Sequence, residues 1–340
     1  MNLSKDSFDA ALFPGVREKL AEAYRSLRQS EQAMCQSALE DNGVFREGMV
    51  YIRNCPLCAT PSGGASLIYY AHGMHIVQCP QCDLVYSQEV VKRDSDEARY
   101  RKSNFMDALT AVHGNAAYAE LESNKARYII GRLAEVRGRQ ETLLLDIGCS
   151  TGALLKAAIE VGWQALGIDL NRDAVVIARN RGLNALEGCF PQDLPANRRE
   201  FGAITILDVL EHTEDPIGFL ATASETLSPG GVLGIQVPNF NSLLIRIEGA
   251  RNNNICHGHW SYFTPQTLKK VATKVGLEVL LIETIISEID RIRAYPSEQV
   301  REVARSLAGQ DVEFSEIDHR WVHEHLLGYK IFGVLARPQS

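Results

Sequence analysis

From residue 142 onward the chain alternates short apolar runs with amphipathic stretches, and this alternation limits what it can fold into. Leu143–Ile147 reads as a buried strand, Ala153–Val161 as a helix, Ala165–Asp169 as a strand and Arg172–Arg181 as a helix. Ala203–Leu207, a helix over Pro216–Leu227, Gly231–Val237 and a helix over Pro265–Val275 continue the series. Strands near Leu277–Ile285 and Tyr329–Ala336 close it. Strands separated in this way by helices imply a mostly parallel sheet with helices on both faces. Residues 287–327 look helical and are too long for a plain loop, which points to a lid or a packing insertion.

The rest of the chain has a different character. At 340 residues there is room for about two domains. Val16, Leu20, Ala23, Tyr24 and Leu27 recur at helical steps, so residues 1–50 read as a helical segment. Its apolar stripe either packs on its own protein or makes a homodimer contact through N-terminal helices. Residues 91–140 read as a charged, mostly helical connector, and residues 141–340 as the sheet domain. The formal charge of −7 lacks the basic footprint of a protein that grips phosphate backbones, which argues against a nucleic-acid partner. No apolar run reaches the roughly 20 residues that span a bilayer. Met1–Ala10 has no apolar core behind a basic start, so the expectation is a cytoplasmic protein with no membrane partner.

Four of the eight cysteines form two pairs, Cys55-Pro-Leu-Cys58 and Cys79-Pro-Gln-Cys82, inside a distinct module over residues 51–90. Two residues between thiolates let one tight turn offer both sulfurs to a single ion, and two such turns complete a tetrahedron. Four cysteine ligands leave no open position, so the expected Zn2+ is structural. A redox dithiol would open a helix after a strand. These pairs instead flank Ser66–Tyr70 and Met74–Gln78, which read as short strands after the turn-rich Pro61-Ser62-Gly63-Gly64. His72 and His75 lie between the pairs and are not counted as ligands. The module resembles a zinc ribbon.

The stretch Asp146-Ile-Gly148-Cys-Ser150-Thr-Gly152 runs from a strand through a glycine turn into a helix. Its spacing departs from the Gly-x-Gly-x-x-Gly of dinucleotide sites. It resembles the first motif of the class I S-adenosylmethionine-dependent methyltransferases, acidic-x-Gly-x-Gly-x-Gly, with Ser150 in place of the middle glycine. Gly167-Ile-Asp169 at the end of the next strand also fits that family. So do Ile206–Pro216 with Asp208, Leu227-Ser-Pro229-Gly230-Gly231, and His259-Trp-Ser-Tyr262-Phe263-Thr264-Pro265. The resemblance covers about residues 120–284. It implies a Rossmann-like α/β sheet, mostly parallel with an antiparallel last strand, and S-adenosyl-L-methionine as cofactor. Asp146, Gly148, Ser150, Gly152, Asp169, Cys189 and Asp208 are the cofactor-binding candidates it implies. Asp146 would serve the methionyl end, Asp169 the ribose hydroxyls and Cys189 the adenine region.

Methyl transfer from a sulfonium is an in-line displacement, so the protein mainly aligns the partners. An oxygen or carbon acceptor also needs a base, which suits histidine. His212, at the carboxyl edge of the sheet, is the first candidate, followed by His257 and His259. The expected activity is methylation of a small-molecule acceptor, with oxygen favoured. A sugar C-methyltransferase, an rRNA base methyltransferase and a non-catalytic adaptor that docks through its ribbon are the alternatives. Val237-Pro238-Asn239-Phe240 is not the Asn-Pro-Pro-Tyr-like motif of base methylation.

Overall fold

The computed structural model describes residues 3–23, 25, 39–40, 42, 44–91, 115–138, 141–195 and 200–339. Thirteen strands are labelled in chain order: β1 (Val50–Ile52), β2 (Ser66–Ala71), β3 (Met74–Gln78), β4 (Val85–Ser87), β5 (Glu89–Val91), β6 (Leu143–Ile147), β7 (Gln164–Asp169), β8 (Ala185–Glu187), β9 (Phe201–Leu207), β10 (Leu227–Pro238), β11 (Ser261–Tyr262), β12 (Glu278–Ile285) and β13 (Lys330–Ala336). The helices used below are α1 (Ala116–Arg137), α2 (Ala153–Glu160), α3 (Arg172–Asn180), α4 (Pro216–Thr226), α5 (Leu243–Glu248), α6 (Pro265–Lys274), α7 (Ile289–Arg293), α8 (Ser297–Ala308) and α9 (His319–Glu324).

Seven strands form the central sheet in the order β12-β13-β10-β9-β6-β7-β8. The pairs β6–β7, β7–β8, β6–β9 and β9–β10 are parallel. The last strand, β13, runs antiparallel to β10 and to β12, as the resemblance implied. The chain leaves the middle of the sheet at β6, moves outward to β8, then crosses back to β9. That reversal opens a crevice at the carboxyl ends of β6, β7 and β9, where open α/β sheets bind ligands.

Capping chemistry sets the helix starts around this crevice. Asn171 caps α3 through its side chain, Asp215 caps α4 with Pro216 at the first position, and Thr264 and Thr267 form a capping box on α6. Helix α1 buries Leu121, Ile129, Ile130 and Leu133 against the sheet.

Three expectations change on the structure. Residues 16–23 are helical, but the helical reading of 1–50 fails further on: Leu39 and Phe45 form a β-bridge and residues 47–49 turn. The side-chain carbonyl of Asn42 accepts the Val44 N–H, and Gly48 has a φ of 80°, so turn chemistry ends the helix period there. The stripe residues Val16 and Ala23 are buried in the core of this same chain with Phe8, Ile129 and Phe332, so they are not offered to a dimer contact. Tyr24 and Leu27 lie outside the described residues, as do residues 92–114 of the expected connector. Finally, the cysteine module does not close on itself. Its sheet has the order β11-β4-β3-β2, and β11 comes from the far side of the chain.

The stretch between β12 and β13 is a packing insertion. Ile292 of α7, Val300 and Ala304 of α8 and Val322 of α9 share one apolar core with Leu243, Leu244 and Ile247 of α5.

Candidate functional site

The glycine turn after β6 is tight enough to demand its sequence. Gly148 and Gly152 have φ values of 81° and 85°, and Ser150 between them also lies in the left-handed region at 46°. A Cβ on Gly148 would come within 2.6 Å of Val209, and one on Gly152 within 2.4 Å of Leu183. The turn lies against β7, with the Gly148 N–H donating to the Ile168 carbonyl at 2.8 Å. At the end of β7 both oxygens of Asp169 are oriented by backbone: Ser150 N–H donates to Oδ2 at 2.8 Å and Asn171 N–H to Oδ1 at 2.7 Å. Each oxygen keeps acceptor capacity for a second donor.

Two chambers meet at this turn. One, of about 360 Å³, is lined mostly by apolar groups, among them Ile168, Leu170, Phe190, Val209 and Phe219, with Asp169, Cys189 and His212 at its walls. The other, of about 170 Å³, is more polar and includes Asp146, Ser150, Glu122 and Lys125. Gly148 and Asp208 belong to both. An elongated ligand with an apolar aromatic end and a charged end matches this division. The Cys189 N–H donates to Asp193 Oδ2 at 2.8 Å, which fixes the segment before Phe190.

The carboxylates at the junction sit in different environments. Asp146 pairs with Thr205 across the sheet and accepts its hydroxyl at 2.7 Å. Burial, with the charge of Asp169 adding to it, pushes the Asp146 carboxyl up to about 7 against the pull of Thr205 and Lys125. Burial works to raise Asp208 too, but Lys330 and Lys125 outweigh it and hold that carboxyl below its ordinary range. Lys330 Nζ donates to Asp208 Oδ1 at 2.8 Å and Gln236 Nε2 to Oδ2 at 2.7 Å. Sequence reasoning missed Glu122, Lys125 and Lys330. The first two carry no local signal on a long polar helix. Lys330 does, as a lone charge opening an apolar strand.

His212 ends a short 3-10 turn, Leu210–His212, just past β9. Its Nδ1 lies 2.8 Å from the Gly258 carbonyl and that of His259 lies 2.9 Å from the Asn254 carbonyl. A carbonyl only accepts, so each Nδ1 carries the proton and the neutral ring has its lone pair on Nε2. The two rings meet edge to face, with centroids 4.6 Å apart. Glu211 completes a trio: one ligating atom from each of Glu211, His212 and His259 lies within 4.8 Å of the others. Burial, helped by the charge of Asp208, raises the Glu211 carboxyl to about 8. Glu211 reaches His259 across 48 positions, so nothing beside His259 in the sequence points to it. His257 is a correction: its fully buried ring packs against His72 at 5.7 Å and Phe45 at 6.3 Å, away from the trio.

Cys55, Cys58, Cys79 and Cys82 are brought together, with sulfurs within 4.8 Å of one another. None of them is in a disulfide. The two turns share one design. Ala59 N–H donates to Cys55 O at 2.8 Å and Asp83 N–H to Cys79 O at 3.0 Å, and both Ala59 and Asp83 are left-handed at φ 60° and 65°. Zn–S bonds of about 2.3 Å place tetrahedral sulfurs about 3.8 Å apart, which this cluster accommodates. Two lysines one turn apart on α6 hold both turns: Lys270 Nζ donates to Cys82 O at 2.9 Å and Lys274 Nζ to Leu57 O at 2.6 Å.

Residues 118–282 match a family model described as a methyltransferase domain. Among curated proteins, "Ubiquinone biosynthesis O-methyltransferase" of Idiomarina loihiensis is 30% identical over 159 residues, covering 42% of this chain and 64% of that protein. The protein of the same description from Thiobacillus denitrificans is 30% identical over 151 residues, covering 40% of this chain and 64% of its own length. The chain thus spans 64% of the length of these two relatives. Among solved structures, an S-adenosylmethionine-dependent methyltransferase from Archaeoglobus fulgidus aligns with a TM-score of 0.48 at 19% identity, covering 67% of this chain and 98% of that one. Among the described residues no helix is long and apolar enough to cross a membrane.

Proposed function

We propose, from the premise that residues 118–282 are a class I S-adenosylmethionine-dependent methyltransferase domain, that this chain methylates an oxygen of a small-molecule acceptor. The observation that carries the reading is the divided crevice with Asp169 oriented at its edge by two backbone amides. Asp169 would accept from the ribose hydroxyls. The apolar chamber beside Cys189 and Phe190 would take the adenine, and the chamber of Asp146, Gly148 and Ser150 the methionyl end. Asp208 stands at the junction as a fixed charge. When bound, the cofactor supplies a methyl group already activated by a sulfonium. The chain's own work is to align the acceptor and take its proton.

His212, which lines the apolar chamber and whose Nδ1–H donates to the Gly258 carbonyl, is the base in this reading. His259 packs edge to face against it, and the raised carboxyl of Glu211 lies beside both rings. The four cysteines hold a structural zinc, because four thiolates leave no position for chemistry. A cytoplasmic setting, which keeps such thiols reduced, belongs to the same reading.

The test is cofactor-linked stability in the purified protein. At 100 times its Kd, S-adenosylmethionine should stabilise the chain by about 2.7 kcal/mol, read as a rise in Tm. Asp169→Asn should lose most of that rise, because an amide puts an NH2 donor where one oxygen now accepts from a backbone N–H. No rise in the wild-type protein would remove the methyltransferase reading.

A further inference from the structure

Arg53 is the one buried arginine or lysine outside the crevice among the described residues, and the function above makes no use of it. It makes no ion pair with a carboxylate among those residues. Its guanidinium donates instead to three backbone carbonyls: Nε to Ser87 at 2.9 Å, one terminal nitrogen to Glu214 at 3.1 Å and the other to Trp260. It also lies 5.5 Å over the Tyr86 ring. A cation desolvated against carbonyls alone is costly. What the contacts secure is therefore informative.

The three carbonyls belong to three different segments. Ser87 ends β4 of the cysteine module, Glu214 follows His212 by two residues, and Trp260 follows His259 by one. Further bonds join the same segments. Trp260 N–H donates to Glu211 O at 2.8 Å, and Ser87 N–H donates to Trp260 O at 3.0 Å. The Tyr51 hydroxyl donates to the Glu214 carboxylate at 2.6 Å. Gly258, whose carbonyl sets the tautomer of His212, lies in the loop that Trp260 anchors. A planar fork of donors suits this task, since a lysine at the same place would lack its geometry.

We propose that Arg53 is a positioning residue that locks the 210–214 turn to the 256–260 loop, so that the Gly258 carbonyl holds His212 in its Nδ1-protonated form. The cysteine module is then part of the acceptor site's framework and not an appended docking unit. This rests on the reading of His212 as the base.

The test uses the zinc-loaded full chain and long-range proton–nitrogen NMR of the histidine rings, in wild type, Arg53→Lys and Arg53→Met. Binding of S-adenosylhomocysteine by calorimetry and Tm are measured alongside. In wild type His212 should be a single Nδ1–H tautomer. In Arg53→Met its nitrogen shifts should move to a mixture of the two tautomers, while cofactor affinity stays within about twofold, as for sites that share no contact. Arg53→Lys should show a smaller shift of the same kind. If Arg53→Met does not fold, Arg53→Lys decides alone. An unchanged His212 spectrum in the folded variants overturns the proposal. Loss of cofactor binding in wild type would instead overturn the methyltransferase reading, and the tautomer result would stand apart from it.

Discussion

At the scale of single residues, Asp169 and Asp146 are both raised by burial but are held in different ways. Asp169 is held for use, both oxygens aimed by backbone donors. Asp146 is buried, and desolvation raises its carboxyl to about 7. A bound methionyl ammonium beside it would favour the ionised form, so the pKa should fall on binding. Binding in the range between the bound and unbound pKa should then release a proton. The expected sign follows: affinity is highest above about pH 7 and weakens as the pH drops, because the site must first lose its proton. Calorimetry in buffers of different ionisation enthalpy should find proton release at pH 6 that vanishes in Asp146→Asn. For the proposed base, His212→Ala should lower turnover by about 10²- to 10⁴-fold while leaving the calorimetric affinity for S-adenosylhomocysteine unchanged. Unaltered turnover would take His212 out of the reaction.

Which residues were legible in the sequence follows from how their signal is spaced. Gly148, Gly152, Asp169 and the four cysteines sit in short patterns, where a turn or a pair of thiolates imposes its own local geometry. Glu211 and His259 meet across 48 positions, and Lys330 reaches Asp208 across 122, so no local pattern could announce either contact. His257 shows the converse: its neighbourhood suggested a site, and its ring turned to Phe45 and His72 instead.

At the scale of elements, hydrophobic period revealed those long enough to show one. The strands β6, β7 and β9 and the helices α2, α3, α4 and α6 lie within a residue or two of where the pattern places them. The short pieces were invisible: β1, β4 and β5 have three residues each and β11 has two. Strand β10 begins at Leu227, ahead of its expected start at Gly231, because an irregularity between Leu227 and Val232 carries Pro229 and Gly230 through the strand. The joining of β11 to the cysteine sheet was likewise beyond reach, as pairing between distant segments leaves no period. This joint gives α6 a role that its amphipathic pattern does not suggest. Lys270 and Lys274 tie it to the carbonyls of both cysteine turns. A tetrathiolate zinc would carry about −2, so these ammonium groups would also face a negative centre once the proposed metal is bound. Lys270→Met with Lys274→Met should therefore cost about 1–2 kcal/mol of stability. Zinc released by a chelator, followed with a colorimetric metal indicator, should leave the double variant faster than wild type. Equal release rates would mean that the lysines only cover the surface.

At the scale of the whole molecule, the first described residues clasp the late insertion. Lys5 O accepts the Ile286 N–H at 3.0 Å, and Asp6 Oδ1 accepts the Ser287 N–H at 2.7 Å. His323 Nε2 lies 2.9 Å from Asp6 Oδ2, and Arg17 reaches Asp9, Glu288 and Asp290. Phe8 is fully buried beside Tyr128. The helical stripe that could have served a dimer instead helps attach this segment to α1 and β13, so the two ends of the fold support each other. Burial acts to raise the Asp6 carboxyl, but the hydrogen bonds and charge of His323 and the bonds from Ser287 outweigh it and hold it at about 2. A depressed carboxyl pKa stabilises the fold fully above the unfolded value near 4, and that contribution is lost as the pH falls through 2. Solvent screening limits it to about 1 kcal/mol. Asp6→Asn should therefore be less stable than wild type by that amount in urea at pH 6. The gap should narrow between pH 4 and pH 3 as the wild-type carboxylate loses its advantage. A gap that is constant across this range would show that the side chain acts through shape alone, and that the clasp of Asp6 on the 287–327 insertion is not electrostatic.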